Sequence, residues 1–197
     1  MSSVTNRPDN WFPPLRSIEI DYSALPVGLN KKEEETLRRI MSLIGNIAEP
    51  TKDKMNEEIR RNMGTYEPSV LLEAALLIKY VLDKNGWYGL KGIKFLDLGS
   101  GTGEVCFVAG LFGLDVTGIE YSPSAIELSR RRLEGLVKAG VLQEGNIELR
   151  QGNFLEAEFS RYDIIYYFSL GSYAWGDIEE KILRELNPQA VFVVKGI

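Results

Sequence analysis

The sequence predicts an α/β fold, a doubly wound and mostly parallel sheet behind an N-terminal helical extension. Short apolar runs recur at 93–98, 115–120, 146–150, 163–168 and 190–194, and segments with helical spacing of apolar residues separate them. Strands that alternate with helices in this way imply βα units and a parallel sheet. The first run leads straight into a turn that holds Gly99, Gly101 and Gly103 within five residues. Losing three Cβ atoms from one turn lets the backbone bend sharply and lets another group approach its amides. The second run ends on an acid, Glu120, about twenty residues after that turn. In a doubly wound sheet such a residue sits at the carboxyl end of its strand, beside the crevice.

Composition bounds the reading. A chain of 197 residues fits one domain with an extension better than two domains, and 44% apolar residues suffice for a core. Cys106 is the single cysteine, so no intramolecular disulfide can form and nothing points to an oxidising compartment. There is no run of about 18 apolar residues, so neither a membrane span nor a membrane partner is expected. Residues 1–14 include polar residues and Pro8, Pro13 and Pro14 and lack the apolar stretch of a signal peptide, so the expected location is the cytoplasm. The net charge of −5 argues against broad nucleic-acid binding. The absence of histidine removes Ser-His-Asp chemistry and the commonest metal ligand, and no metal site is expected.

Along the chain, residues 1 to about 30 read as irregular, broken by prolines up to Pro26 and by Gly28. Trp11, Phe12, Leu15, Ile18, Ile20 and Tyr22 are too apolar for a free tail, and 18–22 alternates like a short strand. Asn30 caps a helix whose positive end is favoured by Glu33, Glu34 and Glu35, with Leu37, Ile40, Met41, Ile44 and Ile47 on one face. A second helix is expected after Thr51, with Met55, Ile59 and Met63 spaced four apart and Gly64 as its stop. Residues 1–64 therefore form an extension that either completes the core or covers the crevice, and 65–197 form the main domain. In 65–69, Pro68 suits the first turn of a helix that carries Val70, Leu71, Ala74, Leu77, Ile78 and Val81 and ends at Asn85-Gly86. After the first strand and the glycine turn, a helix runs to about 112. Ser122 caps the helix after the second strand, with Pro123 in its first turn. Ile126, Leu133, Leu136 and Val137 form that helix's buried stripe, and Arg130-Arg131-Arg132 reads as a solvated face. The third strand runs into Gln151-Gly152-Asn153-Phe154, and the fourth into Ser169-Leu170-Gly171-Ser172-Tyr173. A helix over 176–186 precedes the last strand.

The turn itself discriminates between ligands. The nicotinamide fingerprint wants glycine where Glu104 stands, and a carboxylate there would repel a pyrophosphate. No Gly-Lys-Ser/Thr triplet is present, so the turn is not a P-loop. An apolar strand with an acid, then Gly-x-Gly-x-Gly, resembles motif I of the class I S-adenosylmethionine (SAM) methyltransferases, matched here at Asp97, Gly99, Gly101 and Gly103. With Glu120, with Asn153-Phe154 and with the Asp-Ile-Ile start of the fourth strand, the resemblance covers about 66–197. It implies SAM as cofactor and a Rossmann-like sheet of strand order 3-2-1-4-5.

The same resemblance implies roles. Gly99, Ser100, Gly101, Thr102 and Gly103 would surround the methionine moiety, and Asp97 would assist its ammonium. Glu120, followed by Tyr121, would hold the ribose. Asn153 and Phe154 would take the adenine, with a plain core role open for Phe154. Tyr66-Glu67-Pro68-Ser69 looks like the Tyr-x-Pro-Ser/Thr motif of the seven-strand protein lysine methyltransferases, where this segment helps hold SAM. Phe168, Ser169 and Tyr173 are placed around the transferring methyl, Ser169 and Tyr173 as catalytic candidates. The family's usual core has seven strands and this sequence offers five, so the final antiparallel hairpin is missing and the open edge calls for the N-terminal segment, a second copy, another partner or further chain. No Asn/Asp-Pro-Pro-Tyr follows the fourth strand, and Cys106 reads as a small buried hydrophobe. The expected function is SAM-dependent methylation of a protein lysine. RNA, a small molecule or a non-catalytic SAM-binding subunit are the alternatives.

Overall fold

A computed structural model of the chain describes residues 27–47, 70–169 and 175–196. The expected second helix at 51–63 and the short strand at 18–22 lie outside these residues.

Helix α1 spans Lys31–Gly45. Its start is a capping box: the Asn30 side chain accepts the amides of Lys32 and Glu33 at 3.0 Å, and the Glu33 carboxylate accepts the Asn30 amide at 2.6 Å. Leu37, Ile40 and Ile44 are buried on one face, while Met41 is half exposed, one helical step off that line. Helix α2, Leu71–Lys84, starts later than its proline suggests. Val70 is extended, with ψ of 113°, and so stands before the helix as its cap rather than inside it.

The rest alternates strand and helix: β1 (Lys94–Leu98), α3 (Glu104–Leu111), β2 (Asp115–Glu120), α4 (Pro123–Lys138), β3 (Ile147–Gln151), β4 (Ile164–Ser169), α5 (Trp175–Glu185) and β5 (Val191–Gly196). Between β3 and β4 run two short 3₁₀ turns, Phe154–Glu156 and Phe159–Arg161. The five strands form one sheet in the order β3-β2-β1-β4-β5, with every pairing parallel.

Both faces of the sheet are covered, as a parallel sheet requires. Phe95, Tyr166 and Val193 point into a core shared with α1, α2, α3 and α4. Leu96, Leu98, Ile165 and Tyr167 point the other way, onto α5 and the 3₁₀ turns. The chain leaves β1 towards β2 on one side and pairs with β4 on the other. The carboxyl end of β1 is therefore the topological switch point, where open α/β sheets hold their ligands.

Candidate functional site

At that switch point Gly99, Gly101 and Gly103 adopt φ of 74°, 54° and 92°, the left-handed region in which a Cβ is costly. The turn folds back onto β2, and the amides of Gly99 and Ser100 both donate to the Ile119 carbonyl, at 2.9 and 3.0 Å. A Cβ on Gly103 would come within 2.5 Å of the Phe107 ring, whereas one on Gly99 would meet nothing within 4 Å. The turn is packed shut on the α3 side and open at Gly99.

Gly118 makes this seating possible. It lies in β2 opposite Asp97, and a Cβ there would come within 2.5 Å of Cys106 Sγ and 2.9 Å of the Ser100 side chain. Sequence reasoning passed over it, although a lone glycine within a strand pattern is a known sign of close backbone approach.

Glu120 is 5% exposed and joins two loops. One carboxylate oxygen accepts the Gly101 amide at 2.8 Å and the other accepts the Ser122 amide at 2.7 Å. The Ser122 hydroxyl in turn accepts the Ala125 amide at 3.1 Å, capping α4 as its sequence position predicts. The Gly152 amide donates to the Glu120 carbonyl, which brings Asn153 and Phe154 to the same end of the sheet.

Asp97 lies beneath the turn and is 3% exposed, with the Cys106 thiol donating to it at 3.3 Å. Burial pushes its carboxyl up to about 7; the thiol bond opposes this, and the nearby charges of Glu120 and Glu104 add to it. Burial and the Asp97 charge push the Cys106 thiol well up, so it is an inert, buried group, as its sequence context implies.

The basic run on α4 departs from expectation. Arg132 is 2% exposed and its guanidinium donates to Glu104 at 2.8 Å and to the Thr102 carbonyl at 3.4 Å. Arg130 donates to the Leu149 carbonyl. Helical spacing explains the correction: position 132 follows Ser129 by three and precedes Leu136 by four, and both are buried. Three arginines in a row cannot share a solvated face on a helix that turns 100° per residue.

Other expected site residues are more dispersed. The Asn153 side chain accepts the Leu155 amide at 2.9 Å, and Phe154 is buried with its ring centroid 6.2 Å from that of Tyr167. Tyr121 is 49% exposed. Phe168 faces the α1–α4 side, its ring 5.3 Å from the Lys195 ammonium, which also pairs with Glu73 on α2. Ser169 ends β4. Tyr66 and Tyr173 lie outside the described residues. Among the described residues there is no acidic, histidine or cysteine cluster that could hold a metal ion, and no helix long and apolar enough to cross a membrane.

A parallel sheet of order 3-2-1-4-5 with an acid-bearing first strand, a positive-φ glycine turn and a buried acid ending the second strand defines the class I SAM-dependent methyltransferase fold. Residues 90–197, more than half of the chain, match the family described as methyltransferase domain, and the chain belongs to that family. It is 30% identical over 111 residues to protein-L-isoaspartate O-methyltransferase 2 of Arabidopsis thaliana, a match covering 52% of this chain and 34% of that protein. The chain thus spans about a third of the curated relative it matches. Among solved structures it resembles a candidate sarcosine dimethylglycine methyltransferase of Galdieria sulphuraria, with 26% identity, a TM-score of 0.50 and coverage of 62% of this chain and 45% of that one. An RNA methyltransferase of Salinibacter ruber, solved with S-adenosyl-L-homocysteine, is 24% identical with a TM-score of 0.45, covering 61% of this chain and 72% of that one.

The cofactor of this class is S-adenosyl-L-methionine, and the site fits it. Gly99 leaves open space beside the turn, and the buried Ser100 hydroxyl has no hydrogen-bond partner among the described residues. Asp97 and Glu120 place buried acid at the site, a surrounding suited to a ligand that carries a sulfonium and an ammonium.

Proposed function

We propose that the chain methylates a protein side chain, using SAM held at the carboxyl ends of β1, β2 and β4. The observation that carries the cofactor part of this reading is the Glu120 carboxylate locked onto the Gly101 amide, which joins the proposed ribose acid and methionine turn into one unit. In this assignment Gly99 to Gly103 surround the methionine moiety and Asp97 serves its ammonium. Glu120 accepts the ribose hydroxyls, and Asn153 and Phe154 flank the adenine. Bound there, SAM supplies a methyl group already activated on a sulfonium.

The protein's share is then alignment. Proximity and orientation can account for roughly 7–11 kcal/mol of a barrier. The sequence contains no histidine to serve as base. Tyr173, Ser169, Tyr66 and Phe168 are the residues assigned to the acceptor end. The division into an extension, 1–64, and a methyltransferase domain, 65–197, belongs to the same proposal.

Lysine is the favoured acceptor, on the likeness of Tyr66-Glu67-Pro68-Ser69 to the seven-strand lysine methyltransferases. The free carboxyl of an isoaspartyl residue is the second reading, because the plant relative is named for isoaspartate. Incubation with tritiated-methyl SAM and a cell extract tests both. Alkali-stable label on protein lysine supports the first, and alkali-labile methyl ester supports the second. Label confined to RNA or to small molecules overturns the protein assignment. Absence of label with tight SAM binding points to a non-catalytic subunit.

A further inference from the structure

The buried pair Glu104–Arg132 has no part in the roles assigned above. Glu104 is 7% exposed and Arg132 2%, and a salt bridge at that depth is poor value for stability. Desolvating both ions costs as much as their attraction returns, and apolar residues of the same volume would pack as well or better. What an ion pair provides and an apolar pair does not is a fixed direction.

That direction is applied to the turn. Glu104 is the first residue of α3, directly after the third glycine. Thr102, 0% exposed, is held twice: its hydroxyl donates to Glu104 at 2.5 Å, and its carbonyl accepts from Arg132 at 3.4 Å. The Gly103 amide donates to the Ser100 carbonyl at 2.9 Å, so with the Arg132 contact both ends of the peptide group between Thr102 and Gly103 are restrained, in a segment whose glycines have the widest backbone freedom. Arg132 itself comes from the middle of α4, the helix that follows Glu120 and Ser122. The pair ties the helix after the first cofactor loop to the helix after the second, behind the tie that Glu120 makes in front.

We infer that Arg132 is a positioning residue for the adenosyl cofactor, acting through Glu104 and Thr102 on the shape of the glycine turn without touching the ligand. The inference rests on the proposed cofactor site. Its consequence is that cofactor affinity depends on a side chain buried in the α3–α4 interface.

The test is calorimetric titration of the full chain with S-adenosylhomocysteine, beside thermal unfolding of the same samples. Arg132→Met fills the same volume without charge or donors. It should fold and bind S-adenosylhomocysteine about tenfold or more weakly, the size expected for losing hydrogen bonds to a charged group. Arg132→Lys should recover part of the loss, and Glu104→Gln combined with Arg132→Met should lose less than the two single changes together. A role confined to packing would lower the unfolding temperature and leave the affinity of the folded protein unchanged. A folded Arg132→Met variant that binds within about twofold of the parent overturns the inference alone. Should that variant not fold, Arg132→Lys and Glu104→Gln carry the test, and unchanged affinity in both overturns it. No binding by the parent overturns the cofactor site and the inference with it.

Discussion

The Glu120 carboxylate accepts the Gly101 amide at 2.8 Å from the carboxyl end of the neighbouring strand. An acid that a sequence reading assigns to a ribose is therefore also a structural clamp on the glycine turn. Glu120→Ala should weaken S-adenosylhomocysteine binding by about 1–3 kcal/mol, through lost ligand contacts and a loosened turn together. Glu120→Gln keeps one acceptor oxygen but replaces the other with a donor, facing either the Gly101 or the Ser122 amide. It should fall between parent and alanine in calorimetry. Parent-like affinity in both folded variants would remove Glu120 from the site.

Gly118 carries a packing prediction. Its missing Cβ leaves room for Cys106 Sγ and for the Ser100 side chain. Gly118→Ala should destabilise by about 1–3 kcal/mol, the range for overpacking a tight core. Because Ser100 is backbone-tied to Ile119, most of the adjustment falls on the turn, and cofactor binding should weaken too. Adding Cys106→Ala should restore part of the stability in urea unfolding and less of the binding.

Asp97 predicts a pH dependence. Its carboxyl is raised from 3.8 to about 7 by burial and neighbouring acids. Between those values the folded state holds a proton that the unfolded state has released. The stability linked to this proton is fully present below about pH 4 and is lost as pH rises through about 7. A shift of about three units corresponds to roughly 4 kcal/mol. Ligand-free parent should therefore lose several kcal/mol between about pH 4 and about pH 8 relative to Asp97→Asn, which has no such group to titrate. Equal pH slopes in the two proteins, measured by urea unfolding, would show that Asp97 is not the group responsible.

Helix α1 carries a stability prediction. Asn30 accepts two amides at the start of α1, and Glu33 closes the box. Asn30→Ala should cost about 1 kcal/mol. If α1 unfolds together with the sheet it packs on, that loss appears in the single global transition. If α1 frays separately, hydrogen exchange rises in α1 alone.

Much of this protein could be read from its sequence because the signals are local. Gly99, Gly101 and Gly103 announce a turn whose backbone only glycine adopts cheaply. The apolar strand before it and the acid ending the next strand follow from period and spacing, and so do the caps at Asn30 and Ser122. From these the α/β class and the likeness to SAM methyltransferases follow.

Other features are set by which elements meet, which no local pattern encodes. Arg132 looks like one of three surface arginines until α4 packs against α3 and places it on Glu104. Gly118 looks like an ordinary strand residue until the turn lies down on it. Asp97 reads as a motif carboxylate, yet only its burial beneath α3, beside a thiol and two other acids, moves its proton equilibrium. Local pattern suffices for the turn and for the strands and helices among the described residues. Which charges are buried, and what they hold, comes from packing, because burial and pairing depend on distances between residues far apart in the chain.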